Sequence, residues 1–225
     1  MRATADLNGI YGILLERFGP QHWWPGETPF EVMAGAILTQ NTNWKNVELA
    51  IGGLKAHGML EPHRINAATK RRLANVIRPA GFFNQKAEYL KGYCRYYVSR
   101  HGAVVGRMKA VRTRPLREEL LSLKGIGPET ADSILLYALG KPVFVIDAYT
   151  RRIFSRHGIL HERAPYHDWQ EFFTARLPRR ARLCNEYHAL IVRLAKEHCR
   201  SKPDCSDCPL KDLKVVNVRK GAKVL

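Results

Sequence analysis

The chain has 225 residues, enough for one sizeable hydrophobic core or two small ones. Its 37 Lys and Arg against 20 Asp and Glu give a formal charge of +17, which is self-repelling without a polyanion, so nucleic acid is the expected partner and a membrane surface the competing one. No stretch approaches the roughly 20 apolar residues of a membrane span, Met1 to Phe18 lacks a signal-peptide pattern, and five cysteines, three crowded near the C-terminus, argue against a secreted disulfide framework; a cytoplasmic location is expected.

Leu7, Ile10, Tyr11, Leu14, Leu15 and Phe18 recur at helical spacing, and Gly19-Pro20 ends the segment. Trp23-Trp24-Pro25-Gly26 follows, where Pro and Gly prevent a helix. Its indoles are either a hydrophobic plug between lobes or an aromatic wall for a flipped base. Phe30 to Leu38 reads as a helix of small and apolar residues that stops at the polar Thr39-Gln40-Asn41-Thr42-Asn43. Trp44 then either begins the next helix, through Val47, Leu49 and Ile51, or joins the other tryptophans.

Residues 66–77 are expected to form a helix, Arg78-Pro79-Ala80-Gly81 a turn, and Glu88 to His101 a helix whose Tyr89, Tyr93, Tyr96 and Tyr97 pack the core beside an inert Cys94. Phe82 and Phe83 are read as scaffold. Arg107, Lys109, Arg112, Arg114 and Arg117 form a basic run, either a solvated face or a contact to a phosphate backbone.

The centre of the chain is Leu123 to Arg152. Gly125-Ile126-Gly127 is a tight turn, because alternate glycines permit positive φ and leave backbone N–H groups uncovered. A helix starts at Pro128, with Glu129 at the positive end of its dipole, and stops at Gly140. Such a helix start is suited to an anion, here a nucleic-acid phosphate. Asp147 follows the apolar run Val143-Phe144-Val145-Ile146 and precedes another helix, for which it is a natural N-cap. Later, Trp169, Phe172 and Phe173 pack a helix with Asp168 as its candidate cap, and a last helix runs from about Arg180 to His198. The tail carries Cys199, Cys205 and Cys208 as C-x5-C-x2-C. With no repeat and no persistent period-two pattern, the fold class is all-α.

Hairpin, helix and Asp, in this order and spacing, resemble the helix-hairpin-helix, Gly/Pro-rich loop and Asp signature of the endonuclease III superfamily of DNA base-excision glycosylases. The combination of Trp23-Trp24-Pro25, Leu38-Thr39-Gln40-Asn41-Thr42, Arg78 to Ala87 and Glu129 looks like its 3-methyladenine branch. The resemblance implies two helical lobes with a DNA-binding cleft: a barrel over 28–140, and a second lobe from 1–27 plus 141–225. It implies a catalytic Asp147; a hairpin of Lys124, Gly125, Ile126 and Gly127, with Thr130, gripping the backbone of double-stranded DNA that carries a damaged base; and Gln40 filling the gap left by the flipped nucleotide. For Gln40 the other reading is a turn residue bonding local backbone. Trp23, Trp24, Pro25 and Trp44 would hold the base. Bifunctional members carry a nucleophilic Lys where this chain has Glu129, so a monofunctional enzyme using water is implied. The three tail cysteines resemble the start of a [4Fe–4S] loop whose fourth thiolate is missing, Lys214 standing in its place. Cys184 or a non-cysteine ligand is a candidate substitute, and a relic loop without metal is the alternative. A monomer associated with the nucleoid is expected. The rival functions are a lyase acting on oxidised pyrimidines and a non-catalytic binder of damaged DNA.

Overall fold

Helix α1, Leu7–Phe18, starts where Asp6 accepts hydrogen bonds from the backbone of Asn8 and Gly9, and ends at Gly19, whose φ of 68° only glycine adopts freely. A computed structural model describes residues 6–23 and 26–213, and no strand occurs among them. Helix α2, Pro29–Leu38, is capped by the Thr28 hydroxyl and buries every residue from Phe30 to Leu38. A helix buried on all sides, apolar from Val32 to Leu38 and with its one carboxylate, Glu31, paired to Lys55 at 3.0 Å, belongs at the centre of its unit. Helix α3, Trp44–Ala56, is capped by Asn43.

The single helix expected over 66–77 is two. Helix α4, Pro62–Ala67, ends because Ala68 is extended, and the Thr69 hydroxyl then caps α5, Lys70–Val76. A 3-10 turn over Arg78–Ala80 leads to α6, Phe83–His101, which begins earlier than Glu88. Tyr93 and Tyr97 are buried in the core, Tyr97 stacked on Phe30 with ring centres 6.2 Å apart. Cys94 is buried, and burial pushes its thiol well above the ordinary range, so it is unreactive. Lys86 is only 2% exposed. Its ammonium donates to the carbonyls of Leu38 (2.8 Å) and Ala80 (2.7 Å), tying the end of α2 to the start of α6. Burial lowers its pKa.

Helix α7 is Val105–Ala110 and α8 is Thr113–Leu121. Helix α9, Pro128–Ser133, continues through a π turn over Ile134–Ala138 to Gly140, which has a φ of 66°. Arg117, read from sequence as part of a basic face, instead grips the buried Asp132 of α9 through Nε (2.7 Å) and Nη2 (3.1 Å). The two-pronged pair fixes α8 against α9.

Val143 to Ile146 are buried and non-helical, and α10, Ala148–Arg156, follows. Helix α11 is Tyr166–Thr174, capped at Pro165, so Asp168 lies in its first turn and not at the cap. Helix α12 is Ala181–Glu197. The helices form two units, 24–143 and 1–23 with 144–225. In the first, α2 packs on α3, α6 and the π turn. In the second, α12 packs on α1 and α10, and Phe144 stacks on Phe173 at 4.2 Å with Phe154 and Tyr187 edge-on to Phe173. Each buried ring of this kind stabilises its unit by roughly 1.5–3 kcal/mol.

Candidate functional site

In the 24–143 unit the site is the hairpin. Ile126 is buried and anchors it, while the Ile126 N–H donates to the Leu123 carbonyl at 3.0 Å and closes the turn. Gly125 has a φ of 82° and lies directly over the Tyr89 ring. Gly127 and Glu129 are exposed, and no described side chain caps α9. Lys124 is exposed and its Nζ lies 2.6 Å from Glu88 Oε1, with Lys70 at 3.0 Å on the other oxygen. Lys124 and Lys70 together hold the Glu88 carboxyl at about 2. The Lys124 charge is therefore shared with Glu88.

Gln40 sits just past α2, and its side-chain amide donates to the Gly125 carbonyl (2.8 Å) and the Thr130 hydroxyl (3.0 Å). It is not bonded to local backbone in these contacts; it links the α2–α3 turn to the hairpin. Thr130, expected among the DNA contacts, is buried and serves as that link's acceptor. Asn41, next in the turn, is exposed with a φ of 53°. Trp44 begins α3 and lies against Gly35 of α2, half-buried, within the helical packing of its unit.

The second unit carries Asp147. Its Oδ1 accepts from the Thr150 N–H at 2.7 Å, the N-cap of α10, so the capping reading is correct. Its Oδ2 lies 3.4 Å from His188 Nε2 on α12, with the two side chains 14% and 5% exposed. Burial pushes the Asp147 carboxyl up, but the His188 imidazole and the bonds from Thr150 outweigh it and hold the group below the usual carboxylate range. Trp23 stacks on the His188 ring, centres 5.8 Å apart and planes 23° from parallel. Trp24 and Pro25 lie outside the described residues.

In the tail, Cys199 and Cys208 are buried and Cys205 is exposed. Arg156 reaches Cys199 Sγ at 3.2 Å and the carbonyls of Arg200 and Ser201, and Arg152 holds the Cys199 carbonyl. Burial raises the pKa of the Cys208 thiol. No three His, Cys, Asp or Glu among the described residues are grouped to hold a metal ion. The donor set in this arrangement does not fit a four-thiolate cluster, and Lys214 lies outside the described residues. Cys184 is buried, its thiol pushed up to about 11 by burial.

Two residues stand in arrangements that the sequence did not signal. His188 lies on the apolar face of a helix, where nothing in the local pattern separates a partner of a carboxylate from a packed core histidine. Phe82, read as scaffold, is 65% exposed with a φ of 43°. Its only sequence signal was its place after Gly81.

Residues 34–179 match the profile of the HhH-GPD superfamily base excision DNA repair proteins. A Methanocaldococcus jannaschii protein provisionally named a DNA repair glycosylase is 50% identical over 204 residues, spanning 90% of this chain and 93% of its own length. Endonuclease III of Sulfolobus acidocaldarius is 32% identical over 81% of this chain and 80% of its own. The crystal structure of the H. pylori 3-methyladenine DNA glycosylase bound to 1,N6-ethenoadenine superposes with a TM-score of 0.72 at 30% identity, covering 88% of this chain and 98% of that one.

Proposed function

The chain belongs to the HhH-GPD superfamily of base excision DNA repair proteins and is a DNA N-glycosylase, and on that premise we propose that it is a monofunctional enzyme releasing alkylated purines such as 3-methyladenine. The observation that carries the reading is Asp147, a nearly buried carboxylate kept ionised by His188 and Thr150. Burying a charge is costly, and a site that holds one is suited to a cation that forms during reaction. Cleavage of the glycosidic bond leaves positive charge on the sugar, which Asp147 stabilises. The water oxygen bonds to C1′, its proton passes to Asp147, and the bonding electron pair leaves with the base. An N3-alkylated adenine is already cationic and departs neutral.

Supporting this substrate class, Trp23 presents an indole adjoining the carboxylate's partner, and a cationic purine on an indole face gains about 0.5–2 kcal/mol. Because Glu129 has no amine, it forms no imine with the abasic sugar, which supports hydrolysis over lyase chemistry. The hairpin N–H groups bind phosphate, and Phe82 is suited to wedge between bases once the nucleotide is extruded. Gln40, by holding the α2–α3 turn to the hairpin, couples that turn to the phosphate contact. The [4Fe–4S] loop suggested by Cys199, Cys205 and Cys208 has no part in these steps.

Asp147→Asn should abolish base release from methylated duplex while leaving duplex affinity nearly unchanged, since the phosphate contacts are untouched. Unchanged turnover refutes the mechanism. The similarity to an endonuclease III favours a second reading, a lyase on oxidised pyrimidines. Borohydride trapping of a protein–DNA adduct separates the two, because only the lyase forms a reducible imine.

A further inference from the structure

We propose that His188 is the positioning residue of the reacting carboxylate: its imidazole holds Oδ2 of Asp147 toward the reaction and fixes the Trp23 indole against the same ring. The proposal rests on the glycosylase reading above and deepens it.

The two oxygens of Asp147 are divided between tasks. Oδ1 is committed to the Thr150 N–H at 2.7 Å and so to the start of α10. Oδ2 is 3.4 Å from His188 Nε2. Thus one oxygen is spent on the cap, and the orientation of the other depends on what faces it. A carboxylate held only by its cap rotates about its own bond to Cβ; a second contact on Oδ2 removes that freedom.

His188 itself sits in a stretch of α12, Tyr187 to Ile191, that is buried on every side. An imidazole in such a place costs free energy unless its nitrogens are used. Asp147, at the N-terminus of α10, is the carboxylate facing its Nε2. One ring face is occupied by Trp23 at 5.8 Å, so the ring cannot turn without moving the indole. Carboxylate and imidazole at ion-pair distance and the indole stacked on the same ring therefore form one contacting unit, and α10 and α12 pack directly on each other to hold it.

The test needs a probe of the carboxylate's charge that does not depend on turnover. A duplex with a pyrrolidine abasic nucleotide, cationic at neutral pH, mimics the charged sugar, and a tetrahydrofuran nucleotide is its neutral counterpart. The ratio of their dissociation constants is measured for the wild type, Asp147→Asn, His188→Phe and His188→Gln. The Phe variant retains ring volume and stacking on Trp23 but has no N–H; the Gln variant retains a donor and loses the ring. The expected result is a wild-type preference for the cation that is lost in Asp147→Asn, reduced about 10- to 100-fold in His188→Phe, the range for losing a buried polar contact to a charged group, and partly restored in His188→Gln. Single-turnover release from methylated duplex should fall in parallel in His188→Phe, with tetrahydrofuran-duplex affinity unchanged.

A wild type without preference for the cation, or an Asp147→Asn variant that retains it, overturns the glycosylase mechanism itself. A wild-type preference kept in full by His188→Phe leaves that mechanism standing and overturns the role of His188, as does a Gln variant that restores nothing. Should the Phe variant fail to fold, 15N-histidine spectra decide. The His188 Nε2 resonance must move between wild type and Asp147→Asn, and an unmoved resonance overturns the proposal.

Discussion

Replacing Gly125 by Ala attacks the hairpin at its least tolerant point. A Cβ built there falls 2.3 Å from Tyr89 Cδ2 and Cγ and 2.4 Å from Cδ1, where carbon contacts ordinarily begin near about 3.5 Å. The ring cannot swing away freely, because Gln85 Nε2 donates to the Tyr89 hydroxyl at 2.6 Å. Overpacking of this kind costs about 1–3 kcal/mol. Backbone adds to it: φ is 82°, and a left-handed conformation costs an L-residue about 1–2 kcal/mol. The sum is roughly 2–5 kcal/mol, measurable by urea unfolding. A cycle with Tyr89→Ala divides it. In that background Gly125→Ala should retain only the backbone cost, giving a coupling of about 1–3 kcal/mol. Duplex affinity should fall as well, since relief of the clash displaces the N–H groups beside it. A Gly125→Ala cost below about 1 kcal/mol, or no coupling to Tyr89, refutes the reasoning.

Trp23→Leu should slow release of cationic 3-methyladenine more than release of any neutral base the enzyme accepts, because it keeps apolar volume and discards the ring quadrupole; equal losses in single-turnover rates would remove the cation–π argument. The Glu88 pKa is depressed from 4.5 to about 2 by Lys124 and Lys70, so its contribution is present above pH 4.5 and is lost as pH falls toward 2. Glu88→Gln should flatten the acid limb of stability in that window, and an unchanged limb would contradict the pairing. Protein purified anaerobically should contain less than about one iron per chain, whereas about four irons with acid-labile sulfide would show that the tail thiols gather into a [4Fe–4S] cluster despite their arrangement here.

What the chain reveals before folding is local. Gly125 opens the positive φ that the turn uses, and Pro128 fixes φ at the first helical position, so the turn and the helix after it follow from residue type, while Gly127, also read as able to take positive φ, is extended at φ −84°. Asp147 was legible for the same reason: a carboxylate before a helical segment caps it whatever lies around. The break between α4 and α5 was missed although it is also local, because Ala68 and Thr69 interrupt an apolar period too weakly to register beside a competing long helix; only the Thr69 cap betrays it. Long-range pairing was not legible. Gln40 bonds the hairpin across 85 and 90 positions, Arg117 leaves the basic run for a buried Asp132, and the Phe82 backbone is forced to positive φ where Gly81 leads into α6. His188 is the clearest case. Its helix has the apolar periodicity of any core helix, and an imidazole there is compatible with plain packing. Only the placement of α12 against α10 brings Nε2 to Oδ2, because the energy that makes a buried imidazole worth keeping comes from a partner that periodicity cannot name.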